Sequence, residues 1–288
     1  MIDQLNLDWL RKHPLPANGG GQGKEDRGQA LVVGGSTFVP GAIRLTGEAV
    51  LRAGAGKVQL GTVEATGAAL GIAFPEAAII RLPSSDGEIS LEAIDVLGDA
   101  CADCDAMILG PGMLEHQNTP QLVSALLHHN RHSPSLVDAG AMTALRKADL
   151  SVPGPLVLTP HHGELATMLT AEKRQIEATP AQSAKEAAAR FQSVVALKSA
   201  ETFIASPDGR LVRYVSPSLG LGTAGSGDVL AGIIGGLLAR GVGPFEATAW
   251  GVWLHGEAGR AASAHRGLIG YLARELLEEV PKLLEGAA

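Results

Sequence analysis

The stretch Gln29 to Thr62, QALVVGGSTFVPGAIRLTGEAVLRAGAGKVQLGT, decides the fold. QALVVGG (Gln29 to Gly35) is a continuous apolar run closed by glycines, the pattern of a strand buried on both faces. AIRLTGEAVLRAG then shows helical periodicity, and KVQLGT is a second short apolar run. Strand, glycine turn, helix and strand in about thirty residues form one unit of a parallel sheet.

The alternation continues along the chain. AAIIRL, AMILG, SLVDAG, PLVLTP and VVALKS read as strands, with helical patterns such as LEAIDVLGDA and TPQLVSALLHHN between them. TFIASPDGRLVRYV reads as a hairpin turning at Pro207-Asp208-Gly209. From Ser226 onward the pattern is mainly helical. The expectation is a three-layer α/β/α fold, its central sheet largely parallel and covered by helices on both faces. With no internal repeat or composition break, residues 28–288 are expected to form one domain behind a lead-in of 1–27, which ends in the glycine-rich ANGGGQGKEDRG.

The chain has 288 residues, of which 45% are apolar but only 3% aromatic, so the core must be built from Ala, Val, Leu and Ile. A net charge of −7 without a basic patch argues against nucleic acid and anionic membranes as partners. It leaves anionic small ligands open, because backbone dipoles can bind them. No apolar run approaches the ~20 residues of a membrane span, and MIDQLNLDWLRKHPLP lacks a signal-peptide pattern, so a cytoplasmic protein is expected. Cys101 and Cys104 have no second pair to complete a zinc site and read as structural thiols of a reducing compartment. The histidines of HHNRH (His128 to His132) lack an accompanying acid and read as a solvated helix end.

In parallel sheets ligands bind at the carboxyl ends of strands. There the chain places VVGGS, ILGPGM, LVDAG, LTPHHGE and ALKSAET. A further stretch, GLGTAGSGDVLAGIIGGLLARG (Gly220 to Gly241), puts four glycines into eight residues and then a lone carboxylate, Asp228. Glycines 222, 225 and 227 let backbone N–H groups converge on an anion at the start of a helix. Asp228 beside that nest could take a proton from an attacking hydroxyl. Helix capping would explain the Asp but not the glycines. The adjacent Ala231-Gly232 pair would let the helix pack close to the sheet.

Two other positions stay open on the residues alone. Glu164 in LTPHHGE could hold Mg²⁺ through water, or could be an ordinary first-turn acid. Lys198 could reach a phosphate, or could be a solvated strand-end lysine. No P-loop and no strand-linked dinucleotide fingerprint is present.

Taken in order, GKEDRGQALVVGGSTFVPGA, GPGM, LVDAG, LTPHHGE, ALKSAETFIASPDG and the glycine-rich Asp228 stretch resemble the ADP-dependent NAD(P)H-hydrate dehydratases of the ribokinase-like superfamily. The resemblance runs from about Lys24 to near Gly259. It implies dehydration of the (6S) hydrate of NADH or NADPH with ADP as co-substrate and Mg²⁺ as cofactor, giving AMP and phosphate. It implies Asp228 as the base, with Gly225, Ser226 and Gly227 as the anion hole. Lys198, Ser199, Ala200, Glu201 and Thr202, with Gly227, would bind the nucleotide. Ala42, Gly112, His161 and Asp228 would contact the hydrate, and Glu164 would organise Mg²⁺ through water.

The resemblance further implies a homo-oligomer, a tetramer at family level, and a separate epimerase protein acting on the (6R) hydrate. Two positions depart from the family pattern: Asp138-Ala139-Gly140 replaces an Asp-Ala-Asp run, and Lys198-Ser199 replaces a lysine-glycine step. The rival readings are a ribokinase-like kinase of small vitamin precursors and a nucleotide-binding regulator without activity.

Overall fold

The computed structural model describes residues 2–16, 23–130, 132–146 and 152–287. Part of the glycine-rich leader (17–22) and Arg131 of HHNRH lie outside the described residues.

The chain begins with a two-residue strand, β1 (Asp3–Gln4), and a short helix, α1 (Leu7–Lys12). Alternation follows: β2 (Gln29–Val33), α2 (Ala42–Arg52), β3 (Lys57–Val63), α3 (Glu64–Ala73) and β4 (Ala78–Leu82). A small hairpin, β5 (Ser84–Ser85) and β6 (Glu88–Ile89), precedes α4 (Ala93–Asp103), β7 (Ala106–Leu109), α5 (Thr119–His129), β8 (Ser135–Val137) and β9 (Leu156–Leu158). Then come α6 (His162–Leu169), α7 (Lys173–Ala178), α8 (Pro180–Phe191), β10 (Val194–Leu197), and the antiparallel pair β11 (Glu201–Ala205) and β12 (Leu211–Val215). Four helices close the chain: α9 (Ser226–Ala239), α10 (Pro244–Arg266), α11 (Ala273–Leu276) and α12 (Val280–Ala287).

The strands form one sheet in the order β1-β12-β11-β10-β9-β8-β7-β2-β3-β4. All pairings are parallel except β10 with β11 and β11 with β12. The apolar strands have both faces covered, as their lack of polar alternation predicts. In β2, Ala30 and Val32 face a core shared with α2, α9 and α10, while Leu31 and Val33 face one shared with α4, α5, α6 and α8. The three-layer arrangement expected from the sequence is the one observed.

Strand order reverses between β2 and β7. From that point β3 and β4 extend to one side and β8, β9 and β10 to the other, which opens a crevice at the strand ends. The turns after β2 and β7 meet there, with the Gly35 N–H donating to the Pro111 carbonyl at 2.7 Å.

Helix α9 lies over this crevice because its glycines allow close approach. A Cβ at Gly232 would collide with the Thr46 carbonyl, and one at Gly236 would lie 2.5 Å from the Val50 carbonyl. Both partners belong to α2, so Gly232 serves helix-to-helix packing rather than the helix-to-sheet packing the sequence suggested. Gly235 faces the sheet instead, against Ile108.

The segment 2–16 is latched to the body. β1 pairs with β12, Trp9 stacks on His13 with ring centroids 3.9 Å apart, and Trp250 Nε1 donates to the His13 carbonyl at 2.8 Å. Cys101 and Cys104 are buried, and burial pushes their thiols up to about 11 and about 12, so they are inert packing groups. His128 and His129 are exposed and bond the carbonyls of Ser124 and Ala125 at the end of α5. No helix among the described residues is long and apolar enough to cross a membrane.

Candidate active site

Gly225 caps α9 with φ +87°, a left-handed conformation that glycine adopts without strain. A Cβ there would also press on Leu45 of α2 at 2.7 Å. The helix N-terminus therefore faces the crevice with its leftover N–H groups and positive dipole end. The Ser226 N–H folds back onto the Thr223 carbonyl at 3.3 Å, and its hydroxyl meets Nε2 of His255 at 2.9 Å. Burial pushes His255 down to about 4, so the ring is neutral near pH 7.

Opposite this helix end stand the residues that close β8, β9 and β10. Lys198 Nζ donates to Asp138 Oδ1 at 2.7 Å, and the Thr159 hydroxyl donates to the same oxygen at 2.7 Å. A Cβ at Gly227 would lie 3.6 Å from Lys198 Nζ and 3.8 Å from Asp138 Oδ2, so the bare backbone of α9 looks directly at this pair. Burial works against the Lys198 charge, but Asp138, Glu164 and Asp228 around it more than offset that and hold its pKa above the usual value.

Asp228, in the first turn of α9, is pushed up to about 7. Burial is the larger cause and the Asp138 charge adds to it, while Lys198 pulls the other way. A carboxyl group near neutrality can accept a proton and release it again at working pH.

His161 caps α6. Its Nδ1 accepts from the N–H groups of Gly163 (3.0 Å) and Glu164 (3.1 Å), and Glu164 Oε2 accepts from the His161 N–H at 2.7 Å. Glu164 is thus the first-turn acid of a reciprocal capping box. Its second oxygen lies 3.6 Å from His161 Nε2.

Between β10, β12, α9 and α10 lies a cavity of about 580 Å³. His161, Lys198, Ser199, Ala200, Thr202, Ser226 and Gly227 line it. Tyr214, Leu221, Leu230, Val252 and Gly256 add apolar surface to its lining. Glu201 is absent from the lining, its carboxylate pairing with Arg213 at 2.9 Å. At the lysine-glycine departure, the Ser199 hydroxyl donates to the Glu201 carbonyl at 2.7 Å and accepts from the Glu201 N–H at 3.2 Å, bracing its own turn.

Ala42 and Gly112 lie apart from this cavity but against each other. Gly112 has φ +73°, and a Cβ on it would come within 2.9 Å of the Ala42 Cβ and 3.1 Å of the Gly35 Cα. One turn along α2 from Ala42, Leu45 reaches Gly225. The other family departure has a steric reason here. A Cβ at Gly140 would collide with the Met113 carbonyl, so no second carboxylate fits beside the GPGM turn.

Sequence reasoning gave Asp138 no role and did not single out Thr159, His255 or Tyr214. Asp138 and Thr159 end strands, so the strand-end rule could have found them. Tyr214 and His255 lie in elements the sequence predicted, β12 and α10, but only the packing of those elements turns the two side chains into the cavity.

A family model described as NAD(P)H-hydrate dehydratase matches residues 30–282. An ADP-dependent (S)-NAD(P)H-hydrate dehydratase of Xanthomonas campestris pv. campestris is 44% identical over 277 residues, covering 96% of this chain and 94% of that one. A bifunctional NAD(P)H-hydrate repair enzyme of Moorella thermoacetica is 39% identical, covering 97% of this chain but 53% of its own length. This chain therefore spans about half of that bifunctional relative. Among solved structures, the ADP/ATP-dependent NAD(P)H-hydrate dehydratase of Bacillus subtilis co-crystallised with ATP/Mg²⁺ superposes with a TM-score of 0.85 at 29% identity, covering 100% of this chain and 99% of that one.

Proposed function

Because the chain belongs to the NAD(P)H-hydrate dehydratase family, we propose that it dehydrates the (6S) hydrate of NADH or NADPH in an ADP-dependent reaction, releasing AMP and phosphate. The observation that carries the mechanism is the meeting of Asp228, Lys198 and the bare N-terminus of α9 at one point.

The hydroxyl of the hydrate is a poor leaving group, and phosphorylation makes it a good one. Asp228 accepts the hydroxyl proton while the hydroxyl oxygen bonds to the terminal phosphorus of ADP. The bond from that phosphorus to the bridging oxygen breaks, and AMP leaves. Phosphate then departs with the carbon–oxygen bond, and a proton from the neighbouring carbon is lost as the ring double bond returns. The first-turn N–H groups of α9, with Gly225 setting the left-handed turn into the helix and Gly227 clearing the approach, hold the transferring phosphoryl oxygens, and Lys198 adds a point charge. Lys198, Ser199, Ala200 and Thr202, with the apolar part of the cavity lining, suit the AMP portion, and His161, Ala42 and Gly112 suit the hydrate.

Magnesium fits this site in its hydrated form. Glu164 commits one oxygen to the His161 N–H, and the other, 3.6 Å from His161 Nε2, could accept from a magnesium-bound water. The ion would offset charge on the diphosphate.

Incubation with NADH hydrate and either ADP or ATP tests the proposal. Return of NADH absorbance together with AMP from ADP supports it. A stable phosphorylated alcohol formed from ATP, with ADP accumulating, would instead make the protein a small-molecule kinase.

A further inference from the structure

The small hairpin β5–β6 takes no part in the main sheet, yet it touches both glycine turns of the crevice. At its tip Asp86 (φ +53°) and Gly87 (φ +81°) reverse the chain, and the Gly87 carbonyl accepts from the Thr37 N–H at 2.9 Å. That bond holds the turn after β2. On the next residue, the Glu88 carboxylate accepts from the Leu114 N–H at 3.3 Å, which holds the turn after β7. The Ser36 hydroxyl lies against the same carboxylate and favours its charged form. Ser36 in turn accepts from the Val39 N–H at 3.0 Å, fixing the loop that leads into Ala42.

Glu88 is only 7% exposed. A carboxylate is rarely buried this far unless it is paired or bonded, and no Lys or Arg ion pair to Glu88 occurs among the described residues. Its burial raises its pKa, against the opposing pull of the Leu114 N–H, the Ser36 hydroxyl and His116. The hairpin therefore bears a cost that folding of the main sheet does not require. What it gains is a fixed spacing between the loop before Ala42 and the loop containing Gly112.

We infer that Glu88 is a positioning residue for the hydrate, setting the separation of the two glycine turns through Ser36 on one side and Leu114 on the other. This rests on the reading of Ala42 and Gly112 as hydrate contacts. The nucleotide cavity lies elsewhere and shares no lining residue with the hairpin. Loss of Glu88 should therefore affect the two substrates differently, which general destabilisation would not do.

The test measures KM for the hydrate, Kd for ADP and thermal unfolding in Glu88→Ala, Glu88→Gln and Glu88→Asp, with Gly112→Ala as reference. In Glu88→Ala the hydrate KM is expected to rise roughly tenfold, the scale of one lost charge-assisted hydrogen bond, with ADP Kd within about twofold of the parent. Glu88→Gln keeps an oxygen for Leu114 and should recover most of that loss. Glu88→Asp withdraws the carboxylate by one methylene and should raise the hydrate KM severalfold, which preserves the test if the alanine variant does not fold. An unchanged hydrate KM in the Glu88 variants, beside a raised one in Gly112→Ala, overturns the role of the hairpin and leaves the site reading intact. Equal weakening of ADP and hydrate also overturns it. Unchanged values in Gly112→Ala and the Glu88 variants overturn the site reading and this inference together.

Discussion

Lys198 and Asp138 form a buried-edge ion pair, Nζ to Oδ1 at 2.7 Å, across 60 residues of sequence. Thr159 bonds the same carboxylate oxygen, so Asp138 is held by β9 while it holds the lysine of β10. Through this pair Asp228 has one like and one unlike charge as neighbours, and their balance helps set its proton affinity.

A base must be ionised to act, so kcat/KM should fall as pH drops through about 7, where burial and Asp138 place Asp228. Asp138→Asn removes the like charge and frees Lys198 to favour the Asp228 carboxylate. The acidic limb should then move down by roughly one pH unit. A limb that stays in place while rate falls would show that Asp138 acts only in folding.

The same raised affinity makes a stability prediction of definite sign. Asp228 has its pKa raised on folding, so its stabilising contribution is complete below its ordinary value near 4 and is lost as pH rises through about 7. Asn at this position stays neutral throughout. Asp228→Asn should therefore unfold at a temperature higher than the parent by about 2–4 °C at pH 8, with the difference shrinking toward pH 4. Equal Tm values across that range would mean that Asp228 is not desolvated.

Gly227 is bare where phosphate is expected. A Cβ there meets only ordinary contacts at 3.6 and 3.8 Å, so Gly227→Val should fold, yet it fills the space in front of Lys198. ADP affinity should fall by about tenfold or more, with Tm little changed. Unaltered Kd for ADP would move the phosphate site away from α9.

Trp9 anchors the N-terminal segment by stacking on His13 and meeting Phe245 edge-on. Trp9→Ala should cost about 3–5 kcal/mol in chemical denaturation, the usual range for a buried aromatic. A loss below 1 kcal/mol would show that β1 and α1 are dispensable to the fold.

Much of this was legible in the sequence because buried parallel strands are marked by unbroken apolar runs. From QALVV to VVAL the strands fall where those runs lie, and the hairpin turns at Asp208-Gly209. The strand ends then gave Lys198, His161 and Gly112 as places to look. β1 escaped notice because a two-residue edge strand has no periodicity, and only its pairing with β12 defines it. Asp138 with Lys198, and Ser226 with His255, join residues 60 and 29 apart in sequence, which no local pattern can couple. Glu164 stood open between first-turn acid and magnesium organiser, and the structure shows it as the first-turn acid of a box whose cap, His161, was hidden. A histidine cap is unusual, and it appears only once the His161 ring is placed over the N–H groups of α6.

The central claim is that Asp228 takes the proton of a hydroxyl that attacks ADP. A single-turnover reaction with ADP labelled in its terminal phosphate, run with the parent enzyme and with Asp228→Asn, tests it most directly. The parent should give equal yields of NADH, AMP and labelled inorganic phosphate. Asp228→Asn should bind ADP with similar Kd yet release no label, a loss of at least about 10²–10⁴ in rate. Label release by Asp228→Asn at the parental rate, or NADH formed while ADP stays intact, would contradict it.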